Sequence, residues 1–353
     1  MPPMAVECDR IVIFAPNWVG DAVMFTPALR AIRARFPRAR IALLARPAPA
    51  AVLTPNPWTD EILVDRGGWW ANVRALRERR FDLAILAPNS FRSALLAFLG
   101  RAGRRIGYVR DGRGLLLTDR LPPPRAPDGS LAIVPALTYY LNLATALGAD
   151  ASDRRMELAV DDDDAAWAEG VLAEAGTDGK RPAVVLNPGA SFGPAKQYPP
   201  DRFAAVADAL IDRHDAAILI NAAPDEQHVA DAVAGAMTRP TALNLARMDN
   251  SLGRLKAVVK RAALLITNDT GPRHVAAALG TPVVTIFGPT DPGRTTIDYD
   301  RERIVRAVVP CQFCQKPRCP LPSGPEHHQC LLNIAPADVI AAADELLALD
   351  VSP

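Results

Sequence analysis

The chain of 353 residues lacks a hydrophobic run long enough to cross a membrane. Charged residues, asparagine or proline interrupt every apolar stretch before it reaches the roughly 18 residues that a spanning helix needs. The first residues also lack the basic region, apolar run and cleavage site of a secretory signal peptide. We therefore expect a cytoplasmic protein, for which any membrane contact is peripheral.

Several binding signatures are missing as well. Residues 186–199 have neither the Gly-Lys-Ser or Gly-Lys-Thr ending of a P-loop nor the spacing of a dinucleotide fingerprint. Basic residues are scattered and form no nucleic-acid recognition motif. These absences argue against an ATPase, a dehydrogenase and a nucleic-acid-binding protein. With 49% apolar and 22% charged residues, the composition also excludes a disordered chain.

The length predicts two domains. Short aliphatic runs alternate with amphipathic stretches throughout, which is typical of parallel sheets covered by helices on both faces. We therefore predict an α/β protein with two doubly wound, Rossmann-like domains at residues 1–165 and 180–353, joined through the polar segment 149–181. The predicted strands are residues 10–15, 40–45, 61–64, 81–87, 105–108, 183–186, 216–221, 242–245, 264–268 and 283–287. The predicted helices are residues 26–36, 70–80, 90–99, 131–147 and 165–175.

Charge is distributed unevenly along the chain. Residues 1–150 carry 20 arginines and 12 acidic residues, whereas the remainder carries 20 basic and 27 acidic residues. A positive field concentrates anionic ligands, so the first half suits a phosphorylated acceptor or an anionic lipid surface. The alternative is an arginine-rich, solvated surface. The four aspartates at residues 161–164 are expected to favour a helix start through the helix dipole rather than to bind a metal.

The segment 15–29 leads from the first predicted strand into a helix. Gly20 permits a tight turn in which the backbone approaches a ligand, and Asp21 falls at or just before the helix start. Because ligands bind at the carboxyl ends of strands in doubly wound sheets, Asp21 is a candidate catalytic residue. The alternative is that Asp21 caps the helix.

Two later segments also carry polar residues after predicted strands. In segment 186–199, Ala190 and Ser191 expose backbone N–H groups, and Lys196 adds a mobile charge that suits a diphosphate; the alternative is an ordinary surface lysine. In segment 266–292, Asp269 precedes a helix whose N-terminus would attract a phosphate. The next strand ends in a second polar loop at residues 288–290, so we predict a ligand site here.

Together these three segments resemble those of the bacterial heptosyltransferases of glycosyltransferase family nine, in particular the lipopolysaccharide heptosyltransferase II type. The resemblance covers nearly the whole chain and implies the GT-B fold, in which two Rossmann-like domains face each other across a cleft. It also implies inverting transfer of L-glycero-D-manno-heptose from ADP-heptose to a heptose of the lipopolysaccharide inner core. The alternatives are another nucleotide sugar or acceptor, or a non-catalytic nucleotide-sugar-binding relative.

The resemblance implies roles for single residues. Asp21 matches the general base that takes the proton of the acceptor hydroxyl, with Asn17 and Gly20 on the acceptor side of the same loop. Lys196 matches the residue that holds the donor phosphate and offsets the charge of the departing diphosphate. Glu226, preferred over its neighbour Asp225, matches the residue that holds the ribose hydroxyls; the alternative for either is a helix cap.

The remaining donor contacts follow from the same resemblance. Thr270 and Gly271 match the rest of the diphosphate site, and Asp269 would contact the sugar or phosphate-bound groups. Gln197 and Tyr198 stand where the family usually has a basic residue and a tryptophan, which removes one positive charge. The resemblance implies that catalysis needs no metal or other cofactor. His274 is expected to pack in the motif helix or to contact substrate.

Four of the five cysteines lie close together in a predicted insertion at residues 311–330, with His327 and His328 just before the last of them. Such spacing fits a structural zinc ion or two disulfides, and a cytoplasmic location disfavours disulfides. We predict structural zinc, with reduced or redox-active thiols as the alternative. Cys8 is expected to be a lone buried thiol. The four clustered residues are Cys311, Cys314, Cys319 and Cys330.

Overall fold

The structure is a computed structural model, and it describes residues 8–177, 181–239 and 242–349. The chain divides into two compact units. Unit 1 consists of Met1–Ala159 and Gly293–Asp298, and unit 2 consists of Val160–Pro292 and Tyr299–Pro353. The part of the predicted connection at residues 178–180 lies outside the described residues. No sequence pattern predicted that the short segment Gly293–Asp298 belongs to unit 1.

Unit 1 contains a six-stranded parallel sheet with the order β3-β2-β1-β4-β5-β6. Its strands are β1 (Arg10–Phe14), β2 (Arg40–Ala45), β3 (Glu61–Val64), β4 (Leu83–Leu86), β5 (Arg104–Tyr108) and β6 (Asp119–Leu121). Its helices are α1 (Val19–Met24), α2 (Thr26–Arg35), α3 (Pro47–Val52), α4 (Trp69–Arg79), α5 (Phe91–Leu99) and α6 (Ala136–Ala146).

Unit 2 contains a second six-stranded parallel sheet, with the order β12-β11-β10-β7-β8-β9. Its strands are β7 (Ala183–Asn187), β8 (Ala217–Ile220), β9 (Ala242–Asn244), β10 (Leu264–Asn268), β11 (Val283–Phe287) and β12 (Glu302–Arg306). Its helices are α7 (Asp162–Glu174), α8 (Pro200–His214), α9 (Gln227–Ala236), α10 (Leu252–Arg261), α11 (Gly271–Leu279), α12 (Gln329–Leu332) and α13 (Pro336–Leu349). Counted from its own first strand, unit 2 repeats the strand order of unit 1.

The central strands are buried on both faces, which explains why they are runs of aliphatic residues without polar alternation. Every residue of β7, β10 and β11 is buried. In unit 2, Phe203 and Leu210 of α8 and Leu346 of α13 join these strands in one core. Each such side chain contributes about 1.5–3 kcal/mol on burial. The predicted α/β class with two Rossmann-like units is confirmed.

Strands β2, β3, β10 and β11 begin and end where the sequence predicts, but β6 and β12 were missed. Both lie at sheet edges: β6 has three residues, and β12 has three charged residues among its five and is partly exposed. The predicted helix 131–147 begins only at Ala136. Val134 precedes Pro135, and a residue before proline is disfavoured in helical conformation.

The aspartates at residues 161–164 start a helix, as predicted. The Asp161 carboxylate accepts the backbone N–H of Asp163 at 3.1 Å, and the other aspartates lie in the first turn of α7. No helix in the described ranges combines the length and the apolar character that a bilayer-spanning helix requires.

Candidate active site

Each sheet reverses its order of strand addition between two central strands. These strands are β1 and β4 in unit 1, and β7 and β10 in unit 2. The connections on either side of such a pair run over opposite faces of the sheet, so a crevice opens at the carboxyl ends of the two strands, where ligands bind. Segments 15–29, 186–199 and 266–292 each begin at or beside one of these strand ends.

Asp21 lies in the first turn of α1, directly after β1. The N-cap residue is Trp18, so Asp21 is not the helix cap that the sequence left open. The hydroxyl of Tyr140 donates to Asp21 Oδ1 at 3.3 Å. Burial, reinforced by the Asp21 charge, raises the pKa of Tyr140 well above its usual value, so this hydroxyl stays protonated and donates. Helix α6 thereby holds the Asp21 carboxylate through Tyr140.

A cavity of about 430 Å³ opens beside Asp21 in unit 1. Asn17, Asn89 and Tyr139 line it, and Arg110 and Arg294 add positive charge. A carboxylate at the edge of a polar, basic cavity can accept a proton from a hydroxylated, anionic ligand. Unit 1 therefore brings together the predicted base and groups suited to an acceptor.

Gly20 differs from its predicted conformation. It is the second residue of α1, because the helix begins at Val19, and the chain makes no separate tight turn there before Asp21. Gly20 is also absent from the cavity lining in the described part of unit 1. Asn17, predicted for the same acceptor side, does line the cavity.

Arg113 is a buried residue near this site that sequence reasoning missed. Its guanidinium donates to the Tyr108 carbonyl at 2.9 Å and to Asn89 Oδ1 at 3.1 Å, and it also contacts the Pro88 carbonyl. Burial lowers its pKa to about 10, which leaves it charged at neutral pH. A Cβ on Gly107 would lie 2.9 Å from the guanidinium. A glycine inside a strand can mark the close approach of another group. Gly107 was therefore the sequence feature that could have indicated a buried side chain against β5.

Glu226 contacts the loop after β7 in unit 2. Its Oε1 accepts the backbone N–H of Ala190 at 2.6 Å, and a Cβ on Gly189 would lie 2.3 Å from Oε2. It precedes α9 but makes no helix-cap bond, and burial raises its pKa. Ala190 is therefore buried with its N–H already bound, whereas Ser191 beside it is exposed.

Lys196 and Asp269 form a buried ion pair across the ends of β7 and β10. The Lys196 Nζ donates to Asp269 Oδ2 at 2.7 Å and to its carbonyl at 2.9 Å, with side chains 12% and 7% exposed. Burial alone would raise the pKa of Asp269, but Lys196 and Arg273 outweigh it and hold the pKa below its usual value. Lys196 is therefore not an ordinary surface lysine.

A second buried ion pair lies behind the first. Arg273 is fully buried, and its Nε and Nη2 donate to the two oxygens of Glu302 at 2.6 and 2.9 Å. Thr285 also donates to Glu302 at 2.7 Å, and Thr290 donates to Asp269 Oδ2 at 2.7 Å. Residues in and after strand β11 thus fix the carboxylates of Glu302 and Asp269 near the start of α11.

Asparagines at strand ends connect the loops of unit 2. Asn221 donates to Asn187 at 2.7 Å, and Asn187 donates to Thr267 at 3.2 Å. Asn268 donates to the Pro188 carbonyl at 2.7 Å and accepts the backbone N–H of Tyr198 at 3.1 Å. This network positions the loops on both sides of Lys196, and sequence reasoning missed it.

Thr270 and Gly271 begin helix α11. Thr270 is its N-cap residue in extended conformation, without a side-chain cap, and the helix starts at Gly271. Unbonded N–H groups and the dipole make a helix start attractive to a phosphate. His274, in the next turn, is fully buried, and its Nδ1 has no hydrogen-bond partner. Burial, followed by the Arg273 charge, lowers its pKa to about 3, so it is neutral.

The cysteine-rich segment 311–330 brings Cys319, His327 and His328 together, with one ligand atom from each within 4.8 Å of the others. Burial and then the neighbouring thiols of Cys311, Cys314 and Cys319 raise the pKa of Cys330 to about 11. All five cysteines carry free thiols and are half-buried, including Cys8 in unit 1.

Known proteins match this chain over most of its length. The profile of Glycosyltransferase family 9 (heptosyltransferase) matches residues 69–323. Lipopolysaccharide heptosyltransferase 2 from Escherichia coli strain K12 is 29% identical over 350 residues, which cover 96% of this chain and 98% of that protein.

Solved structures match as well. The Escherichia coli ADP-heptose lipopolysaccharide heptosyltransferase II structure has a TM-score of 0.79 at 26% identity and covers 97% of this chain and 100% of that one. A family 9 glycosyltransferase from Veillonella parvula shares the fold, with a TM-score of 0.82, 23% identity, and coverage of 98% and 99%. Because the family profile spans more than half of the residues, the chain belongs to glycosyltransferase family 9, the heptosyltransferases, and is a glycosyltransferase.

Proposed function

We propose that this enzyme transfers L-glycero-D-manno-heptose from ADP-heptose to a heptose of the lipopolysaccharide inner core, with inversion at the anomeric carbon. The observation that carries the proposal is the Lys196–Asp269 pair beside the start of α11. The relatives named for heptosyl transfer to lipopolysaccharide, and for ADP-heptose, support this choice of substrates.

The donor diphosphate is assigned to the start of α11. An ammonium has three N–H donors, and Asp269 accepts two of those of Lys196. The third, with the backbone N–H of Gly271 and the exposed hydroxyl of Ser191, would bind phosphate oxygens. These donors would stabilise the negative charge that develops as the bond between the anomeric carbon and the diphosphate oxygen breaks.

Glu226 is assigned to the ribose hydroxyls. Its Oε1 is already bonded to Ala190, and the carboxylate lies against Gly189 at the base of the same loop. A carboxylate fixed by a backbone N–H can accept hydrogen bonds from two neighbouring hydroxyls without moving. Asp225 is exposed and lacks this placement.

Asp21 is assigned the role of general base. It would take the proton of the acceptor hydroxyl while that oxygen attacks the anomeric carbon and the diphosphate leaves from the opposite face. Tyr140 orients the carboxylate, and Asn17 would bind an acceptor hydroxyl. Arg110 and Arg294 would attract phosphate groups on the acceptor, in line with the arginine excess of residues 1–150.

The proposed transfer needs no metal ion, because Lys196 and the start of α11 supply the positive charge. A structural zinc ion at the cysteine-rich segment would take no part in the chemistry.

We also propose action at the cytoplasmic face of the inner membrane, with peripheral contact through unit 1. Its exposed Trp18, Trp70 and Leu115, together with its arginines, support that contact; sedimentation with anionic vesicles tests it.

Calorimetric titration of the purified enzyme with ADP, UDP and GDP, in buffer without added divalent cations, tests the donor assignment. We expect selective binding of ADP. A preference for UDP or GDP would change the donor while keeping the fold, and binding that depended on added Mg²⁺ would contradict metal-independent recognition.

A further inference from the structure

The cysteine-rich segment contains a ligand set of the kind that binds zinc. Sulfur and imidazole nitrogen are the preferred zinc ligands, and Cys319, His327 and His328 already hold one such atom each within 4.8 Å of the others. The backbone N–H of His328 also donates to the Cys319 sulfur at 3.4 Å. This hydrogen bond would be stronger if the sulfur were a thiolate. Cys311, Cys314 and Cys330 belong to the same segment, and one of their thiols would supply the fourth ligand.

The Nδ1 atom of His327 has the kind of hydrogen-bond partner that metal-bound histidines have. Its Nδ1 lies 2.8 Å from the Leu321 carbonyl, and an imidazole that donates Nδ1–H to a carbonyl directs the lone pair of Nε2 outward. Metal-bound histidines almost always have such a partner, which fixes the tautomer and the ring. His328 has a positive φ of 56°, as do Phe313 at 60° and Gln315 at 56° in the same segment. Such conformations persist where the surroundings impose them.

The same segment contacts both loops that border the Lys196–Asp269 pair. The Pro317 carbonyl accepts the backbone N–H of Ala195, next to Lys196, at 3.1 Å. Gly193 has a φ of 143°, and a Cβ there would lie 2.4 Å from the Pro317 oxygen. On the other side, the backbone N–H of Gln315 donates to the Pro289 carbonyl at 3.0 Å, one residue before Thr290. Pro317 lies between two of the cysteines, so the order of this segment reaches the donor loop directly.

We propose that Cys319, His327 and His328, with one further thiol of the segment, bind one zinc-type divalent ion, and that the bound ion holds Pro317 against the donor loop of Lys196. Binding releases the thiol protons of the ligating cysteines to solvent. The second part rests on the proposed donor site, whereas the metal site stands independently of it.

Metal content of the full-length protein tests the site. We expect one zinc ion per chain by mass spectrometry of the metal in protein purified without chelator. Cys319→Ser and His327→Ala should lose it, whereas Cys8→Ser, the matched cysteine outside the segment, should keep it. Because a ligand variant could misfold, wild-type protein stripped of metal should also bind Co²⁺ and develop thiolate-to-cobalt absorption. No bound ion and no cobalt band, or thiols recovered as two disulfides, would overturn the metal site.

ADP titration of the metal-loaded, stripped and reloaded enzyme tests the coupling. Loss of one net hydrogen bond such as Ala195–Pro317 predicts affinity weakened about three- to tenfold on stripping and restored on reloading. Equal affinity of the loaded and stripped forms would overturn the coupling and leave the metal site standing. A loaded wild-type enzyme that failed to bind ADP would instead count against the proposed function.

Gly193→Ala separates the contact from the metal. The added methyl group would displace Pro317, so we expect weaker ADP binding with the metal content unchanged. Gly170→Ala is the matched control, since Gly170 lies in helix α7 with nothing within 4 Å of an added Cβ. Unchanged ADP affinity in Gly193→Ala would contradict the role of this contact.

Discussion

The two units have the same strand order, yet their strand ends carry different chemistry. In unit 1, the ends of β1 and β4 border a cavity, and Asp21 meets the neutral hydroxyl of Tyr140. In unit 2, the ends of β7 and β10 are joined by the charged pair Lys196–Asp269. The shared topology supplies a position for ligands, and the side chains that follow the strands decide whether that position accepts a proton or binds an anion.

The buried cations of the two units, Arg113 and Lys196, differ in the same way. Arg113 in unit 1 is bound by carbonyl oxygens and an amide, all of them neutral, and its pKa is lowered by burial. Lys196 in unit 2 is bound by a carboxylate. Arg113 fixes a loop through neutral acceptors, whereas Lys196 compensates a buried carboxylate that would keep only Arg273 and Thr290 if Lys196 were removed.

The largest expected effect comes from removing Asp21, the proposed base of unit 1. Asp21→Asn keeps the shape of the side chain but cannot accept the acceptor proton, so we expect turnover to fall about 10²- to 10⁴-fold. ADP affinity should remain within about twofold of wild type, a change well under 1 kcal/mol. Heptosyl-transfer rates and ADP titration measure the two quantities separately.

Two further variants sharpen that result. Tyr140→Phe removes only the hydroxyl that orients Asp21 and should lower turnover about tenfold or less, the worth of one hydrogen bond. Asp150→Asn changes an exposed carboxylate of unit 1 outside the cavity lining and should retain most activity. Full turnover in Asp21→Asn, or an equal loss of ADP affinity, would remove the distinction between the units.

The next effect concerns the ion pair of unit 2. Lys196→Ala leaves the buried Asp269 carboxylate with only Arg273 and Thr290 as partners, so the free energy of unfolding should fall by about 1–3 kcal/mol. ADP should bind at least about tenfold more weakly, the loss of one charge-assisted hydrogen bond. Lys260→Ala, at an exposed lysine of α10, should change stability by less than about 0.5 kcal/mol. Urea denaturation and ADP titration provide the measurements.

A double variant separates stability from binding. Lys196→Ala with Asp269→Asn no longer buries a carboxylate that has lost its ammonium partner, so part of the lost stability should return while ADP affinity stays low. Recovery of ADP affinity in the double variant would show that Lys196 serves only to neutralise Asp269.

The predictable part of the molecule was its local pattern. Buried aliphatic runs predicted β10 and β11 without error, because a strand covered on both faces needs no polar alternation. Polar residues directly after such strands predicted Asp21, Lys196 and Asp269, because strand ends are where ligands bind.

The rest depended on contacts between residues far apart in the chain. Arg273 pairs with Glu302 only because helix α11 packs beside strand β12, and Asn187 pairs with Asn221 because β7 and β8 lie side by side in the sheet. For Arg113 the sequence offers only the indirect signal of Gly107, because two of its partners, Pro88 and Asn89, come from the loop after β4. Glu226 was expected at the donor site, but its bond to Ala190 follows from the space left by Gly189.

The last predicted effect is a pH dependence that belongs to unit 2. His274 faces Arg273, Asp269 and Lys196 in the folded state, and its pKa is about 3 there against about 6.5 when unfolded. The unfolded chain therefore binds the extra proton first, so stability is full above about pH 6.5 and falls as the pH drops, by about 1.4 kcal/mol per pH unit. His274→Gln should flatten this slope between pH 6.5 and 4.5 in urea denaturation. Equal slopes in wild type and His274→Gln would mean that the acid sensitivity of the protein arises from other residues. The buried, neutral imidazole of His274 would then not distinguish unit 2 from unit 1.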